Sequence, residues 1–172
     1  MWCSEAVARR DLLSLGLALA ALGGCNLQPL LGGEAGDRVT GELAAIEVDT
    51  PKSELGLTFK NELLEALDPD GRRAAPAYSL FVRLERTKNS LAVQLDDTIT
   101  RYDLTLLAKY ELRSKADDKL LFQSAARRVA SYNVVRAPYA TLVAQQDAER
   151  RAAAGLAVEI RSRLTIFFRG RT

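Results

Sequence analysis

Tyr102, Leu104, Leu106, Ala108, Tyr110 and Leu112 fall on one side of "RYDLTLLAKYELR", and Asp103, Thr105, Lys109, Glu111 and Arg113 fall on the other. A strict period of two marks a strand with one buried face. The preceding run, "YSLFVRLERT" (78–87), sets Tyr78, Leu80, Val82 and Leu84 against Ser79, Arg83 and Glu85. Between these strands, "KNS" (88–90) is expected as a turn or a bulge before "LAVQL". "KADD" (115–118) is a hairpin turn. After it, "KLLFQSAARRVASYNVV" (119–135) returns with Phe122, Ala126, Ala130, Tyr132 and Val134 on one face. Arg128 falls among them, so an outward twist or a bulge is expected there.

Two stretches change period from two to nearly four. In "TPKSELGLTFKNELLEALDPDG" (50–71), Leu55, Phe59, Leu63 and Leu67 recur every fourth residue with Leu64 beside them. Thr50 or Ser53 suits the helix start, with Pro51 tolerated in the first turn, and Pro69 and Gly71 end it. Ala153, Leu156, Ala157, Ile160, Leu164 and Phe167 form the stripe of a longer helix from about Tyr139 to Phe168, with Pro138 in its first turn. "FFRGRT" at its end is expected as a loose tail. A short strand candidate, "LAAIEVD" (43–49), precedes the first helix. The resulting order is β-α-β-β-β-α. It predicts an α+β fold with two helices packed on one face of a four-stranded, mostly antiparallel sheet. The other sheet face stays polar, free to meet water or a partner.

The amino terminus follows neither period. "ARRDLLSLGLALAALGGC" runs from Arg9 and Arg10 through an apolar stretch, Leu12 to Leu22, into Gly23, Gly24 and Cys25. A positive start, a short apolar run and small residues make a secretory signal peptide. A membrane-spanning helix would need roughly 20 apolar residues. "LGGC" resembles the bacterial lipobox, in which the cysteine takes a diacylglycerol and the chain is cut before it. The resemblance implies that residues 1–24 are removed. Cys25 would then become the new amino terminus, carrying the diacylglycerol and an N-acyl chain. Cys3 leaves with the signal, so no internal disulfide can form. Each buried CH2 of an acyl chain contributes about 0.8 kcal/mol, so two or three chains anchor firmly. Residues 25–42, Gly-rich and without periodicity from Asn26 to Arg38, read as a lipidated tether. Residues 43–172 read as a single domain.

Composition narrows the chemistry. A formal net charge of +2 gives no reason to expect nucleic acid as a partner. The chain contains no His, which removes the usual neutral-pH general base, the Ser-His and Cys-His pairings and the commonest metal ligand. The acids of "DPDG" and "LDD" are too few and badly spaced for calcium and read as turns. No catalytic residue, metal site or cofactor is expected. From Arg150 to Thr172 the chain holds six Arg and one acid, Glu159. Its Ala, Leu, Ile and Phe stripe favours packing on the sheet over lying on anionic lipid.

Several of these segments together are similar to one known family. "GCNLQPLLG" resembles the opening of the lipopolysaccharide-assembly lipoproteins of LptE type. "TRYDLTLLAKYELRS", "SAARRVASYNV" and "YATLVAQQDAERRAAAGLAVEIRSRL" resemble that family's third strand, fourth strand and closing helix. Asn26 stands where the family usually has Gly, and Leu27 and Leu31 where aromatics are common. The resemblance implies a non-enzymatic, lipid-anchored subunit on the periplasmic side of the outer membrane. Such a subunit plugs a large β-barrel partner of LptD type, assists its assembly and binds lipopolysaccharide. Lipid A phosphates call for Lys or Arg near the ends of elements, which makes Lys88, Arg101 and Arg136 the ligand candidates and Cys25 the anchor. Two other readings compete. An auxiliary lipoprotein of an ABC-type lipid transporter would share the lipobox and the mixed composition. A periplasmic hydrolase would need a Ser-Lys or paired-carboxylate motif, and the sequence carries none.

Overall fold

Four strands form one sheet in which spatial order follows chain order, covered on a single face by helices. The computed structural model describes residues 33–72, 74–93 and 99–171. In chain order the elements are α1 (Glu34–Ala44), β1 (Ile46–Asp49), α2 (Glu54–Leu67), β2 (Tyr78–Val93), β3 (Ile99–Ser114), β4 (Leu120–Asn133) and α3 (Pro138–Arg169). The sheet is mixed, which corrects the expectation of a mostly antiparallel one: β1 pairs parallel with β2, and β2–β3 and β3–β4 are antiparallel. The physical reason is the crossover. A parallel pair needs a long return connection, and α2 lies between β1 and β2 in the chain and supplies it.

The period-two faces fold as expected. Leu80, Val82, Leu104, Leu106, Ala108, Tyr110 and Leu112 are buried beneath α2 and α3. Phe59, Leu63 and Leu67 of α2 meet them, as do Leu156, Ile160 and Leu164 of α3. Ser53 caps α2, its hydroxyl accepting the Gly56 N–H at 3.0 Å. Leu64 lies at the edge of that stripe and is exposed. The "KADD" turn and the "DPDG" turn are both present. Asp68 accepts the Arg72 and Gly71 N–H groups, and Gly71 takes a left-handed φ of 66°.

Several expectations are corrected. Residues 34–42, expected in the tether, form α1 together with Leu43 and Ala44, and Val39 and Leu43 enter the core against α3 and α2. The helices therefore number three among the described residues, and the order opens with a helix. The first strand is correspondingly shorter, Ile46–Asp49. Of the two expectations for residues 88–90, the turn is not formed, because β2 runs through them, and the bulge is met from Ser90, where the register shifts to Ala92 and again to Val93. Arg128 neither twists out nor bulges. It pairs in register with Leu106 on the helix side, where the absent side chain of Gly155 leaves room for its stem, and its Nε donates to the Gly155 carbonyl at 3.3 Å. Residues 167–171 of "FFRGRT" are not a loose tail either, because Phe168 is buried, 5.2 Å from the Tyr78 ring, and Thr172 lies outside the described residues. The basic C-terminal helix packs on the sheet, over β3 and β4.

Candidate functional site: the sheet tip and the open face

The long strands β2 and β3 end, at Val93 and Ile99, at the same end of the molecule where β4 stops and α3 starts. Sixteen residues at about 3.3 Å each carry this tip about 50 Å from the opposite end of the sheet, where Tyr78 pairs with Ser114. All three basic candidates lie at the tip. Lys88 is opposite Leu104, Arg101 is opposite Asn133, and Arg136 follows in the connection to α3. They do not share a face. Lys88 is on the helix side and donates to Gln145 Oε1 of α3 at 2.5 Å, so it helps seat that helix. Arg101 projects from the opposite face, and both it and Arg136 are exposed. Cys25 lies outside the described residues.

Around these cations the tip carries apolar groups that sequence reasoning overlooked. Tyr139 is 78% exposed, and Leu142, Val143 and Val135 are about half exposed. At 100° per residue, Tyr139 and Val143 sit on the side of α3 opposite the buried Ala148, with Leu142 flanking them. A shallow groove of about 650 Å³ runs along Tyr139, Val143, Gln146 and Arg150. The signal was present in the sequence. Tyr139, Leu142 and Val143 stand in phase with Ala153, Leu156 and Ala157 of the buried stripe, and they are exposed because the first turns are buried on another side, at Ala148 and Ala152.

Arg101, Arg136, Arg150 and Arg151 bring cations to this end of the molecule. Asp147 is engaged by Arg150 at 2.7 Å and Arg151 at 2.8 Å, and the hydrogen bond from Arg151 is the main cause holding its carboxyl below the usual range. Asp103 accepts the Ser131 hydroxyl. No acid stands in the first turn of α3. No carboxylate among the described residues pairs with Arg101 or Arg136. Cations beside exposed apolar side chains suit an amphiphile with an anionic headgroup.

The helix-free face of the sheet has a different character. Glu85–Lys109 (2.6 Å), Glu111–Arg113 (3.2 Å) and Glu47–Lys115 (2.5 Å) stud it with ion pairs, and the Arg113 guanidinium stands 5.9 Å from the Phe81 ring centre. Hydrogen bonding to Glu111 and the field of Asp118 raise the Arg113 pKa. A groove of about 590 Å³ opens there between Asp49, Phe81, Arg83 and Asp118. Such exposed pairs contribute little stability, about 0–1 kcal/mol each, but they make the face polar. Among the described residues no three His, Cys, Asp or Glu side chains gather as a metal site.

Comparison with known proteins fits this architecture. The sequence model of the LptE lipopolysaccharide-assembly family matches residues 42–164. An uncharacterized protein of Rickettsia prowazekii (strain Madrid E) is 30% identical over 127 residues, covering 74% of this chain and 79% of that protein. A crystal structure of a Caulobacter crescentus CB15 protein, assigned as a lipoprotein, superposes with a TM-score of 0.67 at 26% identity, over 78% of this chain and 98% of that one. A minor lipoprotein from Acinetobacter baumannii shares the fold at 18% identity, with a TM-score of 0.53 over 70% of this chain and 88% of that one.

Proposed function

This chain belongs to the LptE lipopolysaccharide-assembly family, and from that premise we propose that it is the lipid-anchored plug and assembly subunit of an outer-membrane lipopolysaccharide translocon. The observation that carries this reading is the family match over residues 42–164, and the sequence "LGGC" that ends at Cys25 supports it. In this reading Cys25 bears a diacylglycerol thioether and an N-acyl chain, and these hold the protein on the periplasmic face of the outer membrane. Among the described residues no helix is long and apolar enough to cross a bilayer.

The body serves as the plug. A large barrel encloses a polar lumen, and the ion-paired sheet face suits such a wall. The partner is a β-barrel of LptD type, whose assembly this subunit assists. At the tip, Arg101 and Arg136 meet the lipid A phosphates, and Tyr139, Leu142 and Val143 lie against the acyl region. Lys88 acts at one remove, by fixing the start of α3 through Gln145. The family is non-catalytic, and no group transfer is assigned to any residue.

Affinity isolation of the native protein from outer membranes tests the partner: one barrel is expected in equal amount. Inner-membrane transporter components in its place would contradict the proposal. Ligand binding is tested by Arg101→Gln and Arg136→Gln. Each should weaken lipopolysaccharide binding by roughly tenfold, since a charge-assisted hydrogen bond contributes about 1.5–3 kcal/mol. Unchanged binding in the double variant would remove the tip from the account.

A further inference from the structure

The sheet has two free edges, and they are not equally exposed to strand pairing. On one side β1 covers only Tyr78–Phe81, and the edge continues along β2 from Val82, where Lys88 blunts it against pairing. β4 has fourteen residues and contains no Pro and no Lys, so its outward N–H and C=O groups form a long template for another strand. Two of its outward carbonyls are already taken. Arg163 Nη1 donates to the Ala125 carbonyl at 2.6 Å, and Arg151 Nη2 donates to the Ser131 carbonyl at 3.2 Å.

We propose that Arg151 and Arg163 are guard residues, which cap the outer edge of β4 from α3 and prevent a second copy of this chain from adding its own β4 there. Both guards are braced. Arg163 also donates to Ser124 Oγ at 2.9 Å and Glu159 Oε1 at 2.6 Å, and Arg151 is held by Asp147 at 2.8 Å. The capped carbonyls are six residues apart. Antiparallel pairing alternates inward and outward residues, so only Arg127 and Val129 keep outward groups between them. An arriving strand must lie about 4.8 Å away, in the space the two guanidinium groups occupy. The inference depends only on the β4–α3 geometry and stands whether or not the lipoprotein reading holds.

Arg151→Met with Arg163→Met keeps the unbranched stems that pack along the edge and removes every donor. Full chains extracted into mild detergent are compared by sedimentation velocity, with circular dichroism to monitor folding. The double variant should dimerise at a concentration at least tenfold below any at which the unaltered chain does. Amide exchange at Arg127 and Val129 should slow in the dimer. Adding Val129→Pro, which removes an outward N–H without costing a ladder bond, should restore the monomer. Should the double variant lose its helical signal, the two single variants decide, each expected to shift association in the same direction. Folded variants that remain monomeric at every concentration, or that dimerise with fast exchange at Arg127 and Val129, would overturn the proposal.

Discussion

Gly56 and Gly41 both lie inside helices, yet their replacement by Ala should act in opposite directions. A Cβ on Gly56 would meet the Pro51 carbonyl oxygen at 2.0 Å, because the loop that lets Ser53 cap α2 folds back against it. Gly56→Ala must open that loop and should cost at least the cap, about 1 kcal/mol. A Cβ on Gly41 meets nothing within 4 Å, so Gly41→Ala should stabilise by about 0.4–1 kcal/mol. Urea midpoints measured side by side check both signs. Charge is also local. The folded-state pKa values of Asp147, Glu47 and Asp117 are lowered, chiefly by hydrogen bonds from Arg151, Lys115 and Ser114 respectively. A lowered carboxyl pKa contributes stability above its unfolded value and loses it as pH falls through the folded value. With no His in the chain, Tm should stay level from about pH 6 to 8 and fall below about pH 4. Asp147→Asn should flatten part of the acid limb in a thermal melt series.

Elements were legible in the sequence in proportion to their periodic length. β3 alternates over six apolar positions and was read with its faces correctly assigned, as were the stripes of α2 and α3. α1 was not legible, because "EAGDRVTGELA" offers only Val39 and Leu43 as core contacts and carries two glycines. An isolated helix of eleven residues is marginal in water, so α1 draws its stability from docking on α3 and α2, which no local pattern reports. Leu43→Ala should therefore cost about 2–5 kcal/mol in denaturant unfolding, as for a core leucine, where a tether residue would change nothing. Arg128 was misjudged for a related reason. Its neighbour across the gap is Gly155, on an element distant in sequence, and only the packing shows that the stem has room.

For the whole molecule, the sequence order β-α-β already implied a parallel pair, but the meander of three long strands dominated the reading. The tip was legible as charge and not as shape. Lys88, Arg101 and Arg136 all reach it, yet the register separates them onto different sides and binds one to α3. The exposed Tyr139, Leu142 and Val143 continue the phase of the buried stripe, and only the fold shows that the first turns of α3 bury a different side. The central claim is that this body is held by acyl chains at Cys25 within one outer-membrane barrel. Native mass spectrometry of the protein released from outer membranes tests it in one spectrum. The expected mass is that of one barrel plus one chain lacking residues 1–24 and carrying the acyl groups on Cys25. A lone chain that retains Met1 and an unmodified thiol would contradict it.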